Sequence, residues 1–252
     1  MQIIAHRGAH QGKFEENTLT AFTRAVNMGF SMLELDARLT KDGHLVVHHD
    51  PEINHAGRRI KFREHLFENL VANGICTEGT MHFVRSQSIP SLKLVLDDFL
   101  PHIGINVELK EKGSGKILAN LLKEVTGLKN LIVSSFEESE LIVVKKEFPQ
   151  MEMAWLTDNL QFPLHSVDRK KLNCFKRFGV EGIHFPCRKT TRELVDYLKY
   201  HHGFAVRVYL VNDRESMFNC LALGVDGVFT DKAEALSWMG LGQKSASQSV
   251  SV

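Results

Sequence analysis

Residues 31–50 read SMLELDARLTKDGHLVVHHD, and the way this stretch turns back on itself decides the fold. In an extended chain over 32–38 successive side chains alternate, so Leu33 and Leu35 face one way while Glu34 and Asp36 share the other. Lys41-Asp42-Gly43 offers a turn with a glycine available for positive φ, and Leu45-Val46-Val47 resumes an extended, β-branched run. Seven residues separate Asp36 from His44, too few for the helical crossover that a parallel neighbour requires, so the stretch is an antiparallel hairpin. Its returning arm delivers His48-His49-Asp50. The two histidines point to opposite sides of their strand, so at most one faces the acids, and alternation leaves open which.

Upstream, residues 2–5 (QIIA) read as a short buried strand ending in His6-Arg7-Gly8. Asn17-Thr18 then caps a helix through Ala21, Phe22, Ala25 and Val26 that Gly29 closes. Downstream, residues 51–88 read as an insertion with one amphipathic helix, built on Phe62, Leu66, Phe67 and Leu70 beside the basic cluster Arg58, Arg59, Lys61 and Arg63. That cluster fits a lid or membrane-surface contact, or more simply a solvated helix face on a barrel rim. Ser91 caps a helix of Leu92, Val95, Leu96 and Phe99, and residues 104–110 (GINVELK) form a strand with Asn106, Glu108 and Lys110 on one face. The alternation continues with strands at 131–135, 153–156, 182–185, 205–211 and 227–230. Helices are predicted at 116–125, 138–147, 168–178, 191–200, 214–223 and 232–239.

Without the hairpin partner this gives eight strand-helix pairs, which predicts an α/β protein of the (β/α)8 TIM-barrel class with a small insertion after the hairpin. An open doubly wound sheet fits less well, because no glycine-rich phosphate fingerprint follows the first strand. A single catalytic domain is expected over 1–240, with 51–88 as its insertion and the Ser-, Gln- and Gly-rich 241–252 as a flexible tail.

The 252 residues match the roughly 250 of such a barrel. A net charge of +1 provides no long-range field to gather nucleic acid or an anionic membrane, so an anionic substrate must be held locally. The four cysteines, Cys76, Cys174, Cys187 and Cys220, form no CxxC and read as reduced and structural. With no basic, apolar leader at the start and no run near the roughly 20 apolar residues of a bilayer span, a cytoplasmic protein without integral membrane association is expected. Nothing in the sequence specifies an oligomeric state.

In such barrels the chemistry lies at the C-terminal ends of the strands, where this chain places His6, Arg7, Glu34, Asp36, His49, Asp50, Glu108 and Lys110. Three carboxylates converging on a poorly solvated mouth repel unless a cation neutralises them. Oxygen ligands suit Mg²⁺ or Ca²⁺, with Mn²⁺ also acceptable. The alternative is a buried ion network in which Arg7, Arg38 or Lys110 neutralises Glu34 and Asp36. Imidazoles beside such a site suit general acid and base catalysis, while Arg7 and Lys110 offer donors for a phosphate. Together these groups describe phosphoryl chemistry.

His6-Arg7-Gly8, Glu16-Asn17-Thr18, Glu34-x-Asp36, Asp42-Gly43, His49-Asp50, Glu108-x-Lys110 and Asp226-Gly227-x-x-Thr230-Asp231, in that order and spacing, resemble the glycerophosphodiester phosphodiesterases. The resemblance implies a barrel with an insertion after His49-Asp50, and hydrolysis of glycerophosphodiesters, as small-molecule substrates, to glycerol 3-phosphate and an alcohol. It implies Glu34, Asp36 and Glu108 as ligands of the divalent ion, His6 and His49 as acid and base, and Arg7 and Lys110 as the hold on the phosphodiester. It also selects His49 over His48. Some members act on lysophospholipids, so a lysophospholipase D or phospholipase C-like enzyme is the nearest rival. A non-catalytic phosphodiester-binding barrel is a more distant one. The chain departs from the family pattern at Glu15, at Ile53-Asn54-His55-Ala56-Gly57 and at Tyr209-Leu210-Val211-Asn212.

Overall fold

In the computed structural model, which describes residues 1–10, 15–78 and 88–241, the chain opens with strand β1 (Gln2–Ala5) and helix α1 (Leu19–Met28). Thr18 accepts a hydrogen bond from the Ala21 N–H, and Gly29 ends the helix at φ 84°. A left-handed C-terminal residue is the usual glycine stop. The 31–50 stretch forms β2 (Met32–Leu39) and β3 (Leu45–Val47), antiparallel, with Ala37 opposite Val47.

The insertion departs from the expectation. Arg58, Arg59 and Lys61 lie in a second hairpin, β4 (Glu52–His55) and β5 (Arg58–Lys61), turned by Ala56 at φ 49° and Gly57 at φ 76°, and Arg63 lies in the 3₁₀ turn Phe62–Glu64 that follows. Two consecutive positive φ values match the right-handed twist of a two-residue hairpin, and a single glycine beside an alanine is a weak sequence signal for it. Helix α2 is confined to Phe67–Ala72, because Leu66 is extended at its N-cap. Phe62, Phe67 and Leu70 still bury their rings and methyls, packing with Val46, Ile75, Cys76 and Ile89 into a satellite core beside the barrel. The basic cluster is largely paired: Arg59 with Glu52, Lys61 with Glu64 and Arg63 with Glu111.

Short strands β6 (Cys76–Thr77) and β7 (Ile89–Pro90) lead into α3 (Leu92–Phe99), whose first turn Ser91 caps. The regular part then runs β8 (Gly104–Leu109), α4 (Ser114–Leu122), β9 (Leu131–Ser135), α5 (Glu138–Glu147), β10 (Glu152–Leu156), α6 (Ser166–Arg177) and β11 (Gly182–Pro186). It ends with α7 (Arg192–Asp196), extended by a wider π turn, β12 (Ala205–Tyr209), α8 (Arg214–Leu223), β13 (Gly227–Thr230) and α9 (Ala235–Trp238). The tail expected over 241–252 lies, Leu241 apart, outside the described residues.

Eight parallel strands close on themselves: β1, β2, β8, β9, β10, β11, β12, β13 and back to β1, with Ala5 beside both Leu33 and Thr230. The (β/α)8 barrel is therefore as expected. Alternation divides its side chains. Leu33, Leu35, Ile105, Val107, Ile183 and Val206 join the main core under the helices. Inward-facing Ile4, Met32, Ile132, Ala154 and Phe229 form an apolar plug inside the barrel. Two residues further along these strands, on the same inward face, stand His6, Glu34, Ser134 and Leu156. The polar groups thus sit one layer above a dry floor, at the C-terminal mouth.

Candidate active site

The parallel register sets Glu34 beside Asn106 and Asp36 beside Glu108, so acids from two neighbouring strands meet. One ligand oxygen from each of Glu34, Asp36 and Glu108 can be chosen so that all lie within 4.8 Å of one another, and all three residues are buried. Lys110 Nζ reaches Glu108 Oε1 at 2.6 Å and Asp36 Oδ1 at 3.2 Å. Arg7 Nε lies 3.1 Å from Asp36 Oδ2, while its Nη1 donates to Glu16 at 3.0 Å. The sequence alternative of a buried ion network is thus realised around Asp36.

It does not extend to the whole cluster. Among the described residues, three carboxylates face the cations Arg7 and Lys110, the first shared with Glu16, and Glu34 Oε1 is buried with no hydrogen-bond partner. Burial and the neighbouring charges of Asp36 and Glu108 push Glu34 well above the usual carboxylate range. Burial and Asp36 likewise raise Glu108, against the pull of Lys110. Burial opposes the Asp36 charge too, but Lys110, Arg7 and Asn17 hold that carboxyl below its ordinary value. One acid held ionised, two held above the usual carboxylate range and an orphaned oxygen make a cluster that could hold a metal ion.

Both candidate histidines are built alike. His6 Nδ1 lies 2.6 Å from Asp231 Oδ1, and its Nε2 looks toward Glu34 Oε2 at 3.9 Å. His49 Nδ1 lies 2.8 Å from Asp50 Oδ1. Burial, Arg7 and Lys110 outweigh Asp36 and Asp50 and lower the His49 pKa, which favours neutral imidazole. His49 lines the cleft, whereas His48 turns away onto Phe62, ring centroids 5.5 Å apart. His6, Arg7, Glu34, His49, Glu108 and Lys110 all line this cleft of about 190 Å³, and buried Asp36 pairs with the Arg7 and Lys110 of its wall.

A model of the glycerophosphoryl diester phosphodiesterase family matches residues 6–235. The chain belongs to this family. A glycerophosphodiester phosphodiesterase of Bacillus altitudinis is 30% identical over 240 residues, covering 91% of this chain and 94% of its own. The solved glycerophosphodiester phosphodiesterase of Thermotoga maritima superposes with a TM-score of 0.74 at 26% identity, covering 94% of this chain and 97% of its own. An Oleispira antarctica phosphodiesterase, solved with its product sn-glycerol-3-phosphate, gives a TM-score of 0.77 at 22% identity over 95% and 97%. The expectation of a phosphoric diester hydrolase stands with the family membership.

The family motifs acquire physical reasons here. Gly8 adopts φ 84°, and a Cβ there would meet the Ala21 Cβ at 2.8 Å, so His6 and Arg7 can be presented only over a glycine. Asn17 grips Asp36 twice, donating Nδ2 to Oδ2 at 2.8 Å and accepting the Asp36 N–H at 3.2 Å. Asn212 grips Asp231 in the same way, through its Nδ2 at 2.7 Å and through the Asp231 N–H at 2.9 Å. Burial works against the Asp231 charge, but hydrogen bonds from His10, His6 and Asn212 hold its carboxyl far below the usual range. The sequence reading gave Asn17 only a helix-cap role, which Thr18 fills, and gave none to Asn212 or Asp231. Their signal lay in the motifs at 16–18 and 226–231, and Asn212 ends a segment that departs from the family pattern.

Proposed function

We propose that the protein hydrolyses glycerophosphodiesters to sn-glycerol 3-phosphate and an alcohol, with a divalent ion held by Glu34, Asp36 and Glu108. The observation that carries this reading is the buried carboxylate cluster with its unpartnered Glu34 oxygen, flanked by two histidines whose Nδ1 atoms face carboxylates. The printed function of the Bacillus altitudinis relative supports the substrate class. All-oxygen ligands favour Mg²⁺ or Ca²⁺, with Mn²⁺ acceptable. When bound, the ion would draw charge from a phosphoryl oxygen.

The remaining work falls to side chains. With Nδ1 facing Asp231 or Asp50, each imidazole is left with Nε2 for proton transfer. One takes the proton of the attacking oxygen and the other returns a proton to the leaving alkoxide. Arg7 and Lys110 line the cleft and offer the phosphodiester positive charge, while their bonds to Asp36, Glu16 and Glu108 hold the acids in place. A cytoplasmic setting accompanies this reading; the four cysteines, none of them in a disulfide, fit a reducing compartment. Among the described residues no helix is long and apolar enough to cross a membrane.

A second reading, a lysophospholipase D or phospholipase C-like enzyme, is favoured by one observation. Phe136 and Leu210 line the cleft yet are 43% and 40% exposed, an apolar lip suited to an amphiphile. Product release should be measured as glycerol 3-phosphate from soluble diesters of several head groups, and as free or phosphorylated head group from lysophospholipid micelles, before and after a chelator and with metal restored. Metal-dependent release from soluble diesters is the expected result. Turnover confined to micelles would establish the second reading, and no release from either would overturn both.

A further inference from the structure

Away from the acids, the structure brings two cysteine sulfurs together across the chain. Cys187 opens the turn that follows β11 on the cleft side of the barrel, Cys220 is buried in α8, and their Sγ atoms are 3.8 Å apart. We propose that Cys187 and Cys220 form a redox-modification site, which a low-molecular-weight disulfide such as oxidised glutathione closes into an intramolecular disulfide.

The sulfurs already touch, and rotation of the two side chains must bring them to the roughly 2.05 Å of a bond. Cys187 is partly exposed and open to attack from solvent, whereas Cys220 is 1% exposed. The hydrogen bond from Cys220, opposed by burial and Asp213 and helped by Ser216, lowers the Cys187 thiol to about 7. The same contact and burial raise Cys220 far above an ordinary thiol. Cys187 is therefore the attacking thiolate and Cys220 the resolving group. The Cys187 sulfur attacks one glutathione sulfur, expels a glutathione thiolate and forms a mixed disulfide. Cys220 then loses its proton and its sulfur displaces the second glutathione. Two protein thiols are oxidised and one glutathione disulfide is reduced to two thiols. The bond would fasten the turn after β11 to the helix whose cap, Asp213, adjoins Asn212, the residue that grips Asp231.

The test uses the full chain with Cys174→Ser, which removes the exposed thiol of α6. After incubation with oxidised glutathione and digestion without reductant, a peptide pair linked through Cys187 and Cys220 is expected, and dithiothreitol should abolish it. Adding Cys220→Ser, or Cys220→Ala if the serine disturbs the core, should leave one glutathione on Cys187. Two freely alkylated thiols after treatment, or a stable glutathione adduct on Cys187 with Cys220 present, would overturn the proposal. So would a Cys187→Ser variant in which Cys220 still takes up glutathione, since Cys187 is the attacking group.

Discussion

His6 and His49 in the cleft each set Nδ1 against a carboxylate, and that of His6 belongs to Asp231, which Asn212 grips twice. Replacing it with a near-isosteric amide removes the charge that fixes the ring's tautomer. Asp231→Asn is expected to lower kcat about 10²-fold, within the range that a positioned acid or base contributes, with a smaller change in KM. Steady-state kinetics on a soluble diester checks this, and an unchanged kcat would remove Asp231 from the account. The sequence showed which residues carry charge at strand ends, because alternation puts Glu34 and Asp36 on one face. It did not show which loop residues grip them. Asn17 and Asn212 belong to no periodic pattern, and their partners are 19 residues away in sequence.

Among the elements, the 31–50 hairpin does two jobs: β2 carries acids into the barrel mouth, and its turn anchors the insertion. Asp42 in that turn accepts hydrogen bonds from the Thr40 hydroxyl at 2.6 Å and from the Phe67 N–H, the first residue of α2, at 3.1 Å. Partial burial opposes its ionisation, but these bonds lower its pKa. Asp42→Ala is therefore expected to destabilise the protein by about 1 kcal/mol, as the loss of a helix-capping acceptor does. A lowered carboxyl stabilises the fold fully above its unfolded value of about 3.9, and the contribution is lost as pH falls through the folded value. The gap between wild-type and variant melting temperatures should thus be widest near neutral pH and shrink toward pH 3. A gap that widened in acid would contradict the assignment. The regular strands and helices were legible because their apolar periodicity is strong. The β4–β5 hairpin was not, since Phe62, Phe67 and Leu70 fall at helical spacing while folding as a 3₁₀ turn and one short helix.

On the scale of the whole molecule, barrel closure stacks a dry plug of Ile4, Met32, Ile132, Ala154 and Phe229 beneath a layer of ionisable groups, and the cluster of like charges above it opposes folding until it is neutralised. Closure was inferred from the count of eight strands, whereas the β1–β13 pairing joins residues more than two hundred positions apart and left no local trace. A divalent ion that binds only the folded barrel should raise its stability by about 2.7 kcal/mol at a hundredfold excess over Kd, or about 5–10 °C in Tm for a chain of this size. Thermal melts with Mg²⁺, Ca²⁺ and Mn²⁺ measure this, and Glu34→Gln should blunt the response. The claim on which the rest depends is that the three acids sustain phosphodiester hydrolysis. Its most direct test is sn-glycerol 3-phosphate release by wild type and Glu108→Gln, side by side with divalent ion supplied. The substitution removes a ligand charge at nearly constant volume, so release should fall at least about 10³-fold while the metal-free Tm is preserved. Wild-type turnover in the variant would contradict it.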